Sequence, residues 1–461
     1  MGSGGFDLRQ VRLAQLLDLS VTRGGCSVRW AMLAVFAALP LQWFVVGSTP
    51  LGAGRVHQLA ILAFAAAVFV RYRARAYQPV LAVGAPFVIA NVCLFVIWVA
   101  TSIYNGQAPF GPVQQALYLA VYVAFGTMIY RAAVGAEPGL LDALRWAAVC
   151  ATVALVGGLT YSMLVNGVNP VQVIREAVAS ASPEILQREL FRTAFTGFGY
   201  DDEAVRGNIR HEVFGAVLAA MYVAVWAARL RPLTSTAQRF VFNAALVAGS
   251  LLLLISMSRA VLLAALAWPV LSFVRAVVTG RLSGRQVALA FAAVAGVLIA
   301  LASGFAQVIY VRFTQDTSSY EARDVLLREA YANIADNFVT GGVETAGASS
   351  HNFVLDTWLR SGVFGAIAAA VIVLVLIGLW ISLIARIGVE PVWMVPVIAA
   401  LALPVVRLVT VGGGLIPPIQ WVLLGFVAGA MAYRRELALR PEPEPAELDP
   451  ELAGADRQDR G

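Results

Sequence analysis

The sequence contains no lysine; all 33 basic residues among its 461 are arginine. Charge of either sign is scarce, at 13% of residues against 60% hydrophobic, and the mean hydropathy is +0.77. That leaves too little polar surface to coat a soluble globule of this length, so the bilayer is the expected solvent. Three cysteines, Cys26, Cys93 and Cys150, fall in the N-terminal segment and in apolar runs. They have neither metal-ligand spacing nor the pattern of a disulfide framework, and read as small hydrophobes. Also missing are a Walker loop, a His-Glu-x-x-His pair and a Gly-x-Ser-x-Gly elbow. ATP hydrolysis, metal catalysis and acyl-serine chemistry therefore have no support in sequence, and no cofactor is expected.

What is present is a succession of apolar runs. A hydrocarbon core about 30 Å thick calls for helices of roughly 17–25 residues, whose backbone groups satisfy one another. Such runs lie near 30–47, 57–70, 84–101, 113–130, 146–165, 212–229, 240–257, 260–278, 286–304, 353–384, 392–410 and 415–433. The expected fold is all-α, a polytopic membrane protein of about twelve transmembrane helices, with strands not anticipated. Residues 1–433 form one transmembrane domain, and the Pro-Glu-rich 434–461 reads as a disordered cytoplasmic tail. Gly2 to Arg29 is polar and basic, and the first apolar run leads into Pro40 and aromatics, so a cleaved signal is not expected.

The formal charge of +6 bears on sidedness before it bears on nucleic acid, which is not expected as a partner. With the N-terminus in the cytoplasm, Arg71, Arg73 and Arg75, then Arg131 and Arg145, then Arg229, Arg231 and Arg239, then Arg281 and Arg285 all fall inside. The short outer turns 49–56 and 102–112 hold only Arg55 between them. This asymmetry predicts both ends in the cytoplasm, with any chemistry at the outer face.

Two connections, 166–210 and 305–350, are too long for turns and lie outside. In the first, Ser182-Pro183-Glu184 followed by Leu186, Leu190 and Ala194 predicts a surface helix. In the second, Ser319 caps a predicted helix through Asp336 that carries Leu326, Ala330 and Ile334 on one side and ends at Asn337 before Gly341-Gly342.

Arg259 stands in Ser256-Met257-Ser258-Arg259, which joins two apolar runs almost without a loop. It is either a hairpin marked by a snorkelling cation or a guanidinium held at the interface to bind an anion such as phosphate. His351 lies in Ser349-Ser350-His351-Asn352, where the second loop enters a span; imidazole there suits acid–base work. His57 reads as an interfacial polar residue, whereas His211 has Glu212 beside it and Arg210 before it. Arg312, Arg323 and Arg328 are interspersed with acids, the usual pattern of a solvated helix face. Arg407, inside an apolar run, requires an anionic partner or a watery cavity.

In order and sidedness these pieces resemble the O-antigen ligase and O-antigen polymerase superfamily of membrane glycosyltransferases. The resemblance covers roughly residues 200–385. Its strongest part is Arg323 to Gly365, where an arginine-led helix runs to Asn337 and Gly342, then Ser350-His351-Asn352-Phe353-Val354-Leu355, then Gly362-Val363-Phe364-Gly365. Ser256 to Val261 is similar to that family's Ser-Arg-Gly span start, with Ala260 in place of glycine, while Phe338 and Ser349 also depart from its pattern. The resemblance implies a GT-C-like fold and transfer of a glycan from a polyprenyl phosphate or diphosphate donor to a hydroxyl acceptor. It implies that Arg259 and Arg323 bind the leaving diphosphate, that His351 engages the acceptor, and that Asn352 orients the turn. Arg312, Arg407, Arg210, His211 and Glu212 are further candidates for substrate contact. The rival reading is a transporter or flippase for a lipid-linked glycan, with ionisable residues at mid-membrane and broken helices; a non-catalytic scaffold is a third.

Overall fold

The structure, a computed structural model, describes residues 25–439 except 43–44, 50–51, 73–78, 108–109, 138, 166, 183–184, 187–208, 257, 283, 285–294, 296–297, 300, 315–317, 344–349, 351 and 411–416. Helix α1 (Gly25–Ala38) passes into a 3-10 turn at Leu39–Leu41. Pro40 stops it there, since proline has no N–H to extend the ladder. Strands β1 (Val45–Thr49) and β2 (Gly52–Arg55) follow as an antiparallel hairpin. Then come α2 (Val56–Tyr72), α3 (Ala85–Tyr104), α4 (Phe110–Ala133), α5 (Leu140–Arg145), α6 (Ala147–Val165) and α7 (Pro170–Ala179). The middle of the chain forms α8 (Ile209–Leu230), α9 (Thr236–Ile255), α10 (Arg259–Val278), α11 (Phe305–Thr314) and α12 (Ser318–Asp336). The rest is α13 (Phe353–Ala385), α14 (Val395–Ala400), α15 (Ala402–Thr410) and α16 (Pro418–Leu439).

Among the described residues, eight helical stretches are long and apolar enough to cross a membrane: α3, α4, α5 with α6, α8, α9, α10, α13, and 392–409 with α14 and α15. Helices α1 and α2 are apolar but shorter. Outward-facing Ile89 and Val96 of α3, Val247 and Leu251 of α9, Leu266 and Phe273 of α10, and Leu374 and Ile381 of α13 are exposed. An apolar exterior of this extent is compatible with a multi-pass membrane protein and would aggregate in water.

The interior is organised on α16, which is buried on every side from Pro418 to Met431. A helix apolar all round belongs inside a bundle. It packs most closely on α4, through Gly425 and Gly429 one turn apart and Gly126 opposite. A Cβ at Gly425 would lie 2.7 Å from Cβ of Phe125, and one at Gly429 would lie 2.5 Å from the Gly126 carbonyl oxygen. Small residues at this spacing let two backbones meet without intervening side chains, which is how helices associate where lipid removes any hydrophobic difference.

Side-chain contacts tie one set of helix ends together. Arg71, closing α2, pairs with Glu137 beyond α4 at 2.6 Å, and Tyr72 donates to the same oxygen. Asp142 in α5 pairs with Arg145 and with Arg231, just past α8. Arg275 of α10 donates to the carbonyls of Ile387 and Glu390 beyond α13. Glu390, almost fully buried, accepts two bonds at 2.6 Å from Arg434 of α16. Arg435 donates to the Ala82 carbonyl ahead of α3. Of the arginines assigned by sequence to a common side, Arg71, Arg145 and Arg231 take part in these contacts.

Several expectations are corrected. The first span stops at Leu41, and the outer turn after it is the β1–β2 hairpin, because Pro40 ends the helix and the β-branched Val45 and Val46 favour extended backbone. In the first long loop the described amphipathic helix is α7, earlier than expected. Asn169 caps it by accepting from the N–H groups of Val171 and Gln172, with Pro170 in its first turn. The helix expected after Ser182 falls mostly on 187–208, outside the described residues, as does most of the span expected at 286–304. Helix α16 continues through Arg434 to Leu439, so the segment expected as a tail from 434 begins in helix. In the second long loop, α12 follows expectation: Ala330 and Ile334 are buried against Leu355 and Leu359 of α13.

Candidate functional site

The end of the bundle opposite the arginine contacts holds Arg259, Asn352, Arg407 and the first turn of α8. Helix directions establish this. Helix α10 starts at Arg259 and reaches Arg275, beside Glu390, about 24 Å further along at 1.5 Å per residue. Helix α13 starts beside Asn352 and ends just before the same contacts, and α8 runs from its first turn toward Arg231. Helix α15 packs against both α10 and α13, carrying Arg407.

The most constructed feature here is a break in α13. Gly362 has φ +68° and ψ −171°, a conformation nearly restricted to glycine. The break frees backbone groups on either side, and residues 337–343, which follow α12, dock onto them. Gly342 N–H donates to the Arg360 carbonyl at 3.2 Å, Val343 to Leu359 at 3.0 Å, and Val363 to Phe338 at 3.0 Å. Trp358 Nε1 donates to the Phe338 carbonyl at 2.9 Å. Gly341 and Gly342 adopt φ of +61° and +89°, which turns the loop back on itself. From the end of α3, Asn105 donates to the Thr340 carbonyl and Gln107 to that of Gly342. The two glycine groups that the sequence separates by about twenty residues are thus halves of one joint, a relation the spacing alone did not disclose.

The turn leading into α13 is fixed on both sides of His351. The Asn352 carboxamide oxygen accepts from the N–H groups of Val354 and Leu355, so it serves as the helix cap. Ser350 donates to Asp356 Oδ1 from its N–H at 2.7 Å and from its hydroxyl at 2.6 Å. Asp356 is only 3% exposed. One turn further, Arg360 lies 5.8 Å from the centre of the Trp98 ring and is attracted by the Asp356 charge. Together with Gln115, Thr357 and Ser361 these residues line a cavity of about 20 Å³, room for roughly one water molecule. The Trp98 ring fits against the start of α4 because residue 111 is glycine; a Cβ there would collide with it.

Asp356 and Arg360 put two charges into the first turns of the longest apolar helix. The available signal was the pair's i, i+4 spacing at the start of the longest apolar helix. Trp98 and Gln115 carried no comparable signal, since they come from other helices.

The Ser256–Arg259 hairpin is as tight as its sequence implies. Ser256 and Ser258 are buried; the Ser256 hydroxyl donates to the Leu253 carbonyl, and the Ser258 hydroxyl accepts from Val261 N–H. Arg259 is the first residue of α10 and half-buried. Arg407 is 3% exposed, so its charge is deep in the bundle. Arg312 and Arg323 belong to α11 and α12, and Arg210, His211 and Glu212 to the first turn of α8; their side chains lie outside the described residues, as does His351 itself. His57, expected at an interface, is buried. Among the described residues no group of three His, Cys, Asp or Glu side chains could hold a metal ion. No family model matches the chain, and no curated protein matches it.

Proposed function

We propose that the chain is an integral-membrane glycosyltransferase of about twelve spans, acting at the extracytoplasmic face on a polyprenyl-phosphate- or diphosphate-linked glycan. In this reading the oxygen of an acceptor hydroxyl bonds to the anomeric carbon as the bond from that carbon to the phosphate oxygen breaks. Attack from the opposite face inverts configuration. The hydroxyl proton passes to His351 or to solvent, and Arg259 and Arg323 stabilise charge gathering on the departing phosphate. The observation that carries the reading is the joint of 337–343 with Gly362 beside the Ser350–Asp356 turn. It joins residues 337–343 to 358–363, both within the stretch Arg323 to Gly365 that resembles the ligase and polymerase superfamily, and Ser350 and Asn352 on either side of His351 are each held by hydrogen bonds. A catalytic imidazole needs that kind of preorganisation.

The transporter or flippase reading is favoured by different observations: the broken α13 and the deeply buried Arg407 are the features that class uses. The two separate in one experiment. Purified protein is reconstituted with a polyprenyl-diphosphate-linked oligosaccharide and candidate hydroxyl acceptors, and products are read by mass spectrometry alongside glycan translocation. A new glycosidic product, lost in Arg259→Ala and His351→Ala with membrane levels unchanged, supports the enzyme. Translocation without product, or product formation unaffected in both variants, overturns it.

A further inference from the structure

The cavity beside the Ser350–Asp356 turn has one wall whose hydrogen-bonding capacity is unspent. Gln115 of α4 lines it and is only 5% exposed, and its carboxamide makes no hydrogen bond among the described residues. The preceding Gln114, by contrast, donates to the Tyr118 hydroxyl at 2.9 Å. The other polar walls are already engaged. Thr357 donates to the Phe353 carbonyl and Ser361 to that of Thr357, while Asp356 accepts twice from Ser350 and attracts Arg360. A buried amide left without a partner costs at least as much as a lost hydrogen bond, and a group that supplies the partner on binding recovers that cost.

Charge and access narrow down what that group is. Asp356 and Arg360 put opposite charges into the same wall, so neither an anion nor a cation gains by entering. A carboxamide offers both donors and an acceptor. The neutral group that answers both in a space of about 20 Å³ is a hydroxyl. Water alone would suit a sealed space of this size, but this one has a mouth. Trp98 and Arg360, the guanidinium 5.8 Å from the ring centre, are partly exposed, and the other lining residues are buried. Asp356 also holds Ser350, the residue before His351, so a hydroxyl in the cavity belongs to a molecule at the proposed reaction site.

We propose that Gln115 is a specificity-determining residue of this site: its carboxamide binds one hydroxyl of the sugar, which enters between Trp98 and Arg360 and does not itself react. The inference rests on the reading of a glycan substrate given above. A sugar lacking that hydroxyl leaves the amide unpaired and binds less tightly. The hydroxyl comes from the lipid-linked donor or from an acceptor saccharide, and the test has an arm for each.

Binding is measured without turnover, on the full chain in neutral detergent. The probes are a polyprenyl-diphosphate-linked oligosaccharide, polyprenyl diphosphate without sugar, and a free oligosaccharide as acceptor. Gln115→Met keeps the side-chain volume and removes the amide; it is compared with the parent protein and with Gln114→Met. It is expected to bind one sugar-bearing probe about tenfold more weakly, to bind polyprenyl diphosphate as the parent does, and to melt no lower. Gln114→Met keeps parent affinity throughout. The affected probe assigns the hydroxyl to donor or acceptor. Monodeoxy versions of that probe repeat the test on the parent protein alone, where one of them should lose about the same factor. A parent protein that binds neither sugar-bearing probe removes the glycan reading, and this inference with it. If the parent binds them and Gln115→Met binds all three equally well, the inference alone is overturned and the cavity holds only water. An equal loss for polyprenyl diphosphate, or a deoxy series that binds uniformly, also overturns it.

Discussion

Replacing Gly362 by alanine adds one methyl group at the break in α13, and the consequence can be worked from the contacts around it. The backbone conformation there costs a non-glycine residue about 1–3 kcal/mol. The new Cβ would also overlap the carbonyl oxygen of Val339, and because that atom is backbone it yields only if the docked 337–343 loop moves away. Moving it breaks the bonds from Gly342 to Arg360, Val343 to Leu359 and Val363 to Phe338, each contributing about 1 kcal/mol net. The sum is about 4–6 kcal/mol, borne by one joint. At about 1.4 kcal/mol per tenfold, the open form of the loop gains three to four orders of magnitude. Hydrogen exchange in detergent should therefore show the amides of Gly342, Val343 and Val363 losing protection by that order, with transfer activity lost as well. Gly378→Ala, further along the same helix with nothing near its added Cβ, is the control and should stabilise by about 0.5–1 kcal/mol. Exchange in Gly362→Ala as slow as in the parent protein would refute the reasoning.

Gly429→Ala should lower the melting temperature, because its methyl group meets the Gly126 carbonyl oxygen at 2.5 Å; overpacking of this kind costs about 1–3 kcal/mol, and an unchanged melting temperature in detergent would argue against the α4–α16 contact. Asp356→Asn should destabilise by about 2–4 kcal/mol, since it weakens two bonds from Ser350 and removes the charge facing Arg360. Adding Arg360→Met should recover part of that loss in a double-mutant cycle of melting measurements, and strict additivity would show that the two side chains are not coupled.

Much of the architecture is a property of segments taken one at a time, and such properties are legible in a single sequence. Transfer of an apolar run into lipid depends on that run's own composition, so the spans from α3 to α10 and α13 lie close to where hydropathy put them. The helix from Ser318 to Asp336, with Ala330 and Ile334 on its buried side, follows from period, although Ser319, expected as its cap, lies within it. So does the abrupt hairpin at Ser256–Arg259, where two apolar runs leave no room for a loop. Pro40 and the hairpin after it were misjudged because a length rule for spans outweighed a local stop signal.

The sequence alone therefore determined a helical chain suited to a bilayer, with arginines in several of its short connections and a chemically distinctive group of residues around Arg259 and 323–365. Only the tertiary structure decided that Gly362 breaks α13 to receive 337–343, that Trp98 and Gln115 meet Asp356 and Arg360, and that α16 is the buried axis. Each of these joins residues from separate helices, and Asn105 and Thr340 are 235 positions apart. The reason is physical: burial in lipid acts on each segment independently, whereas the mutual fit of two backbones depends on geometry that neither segment contains.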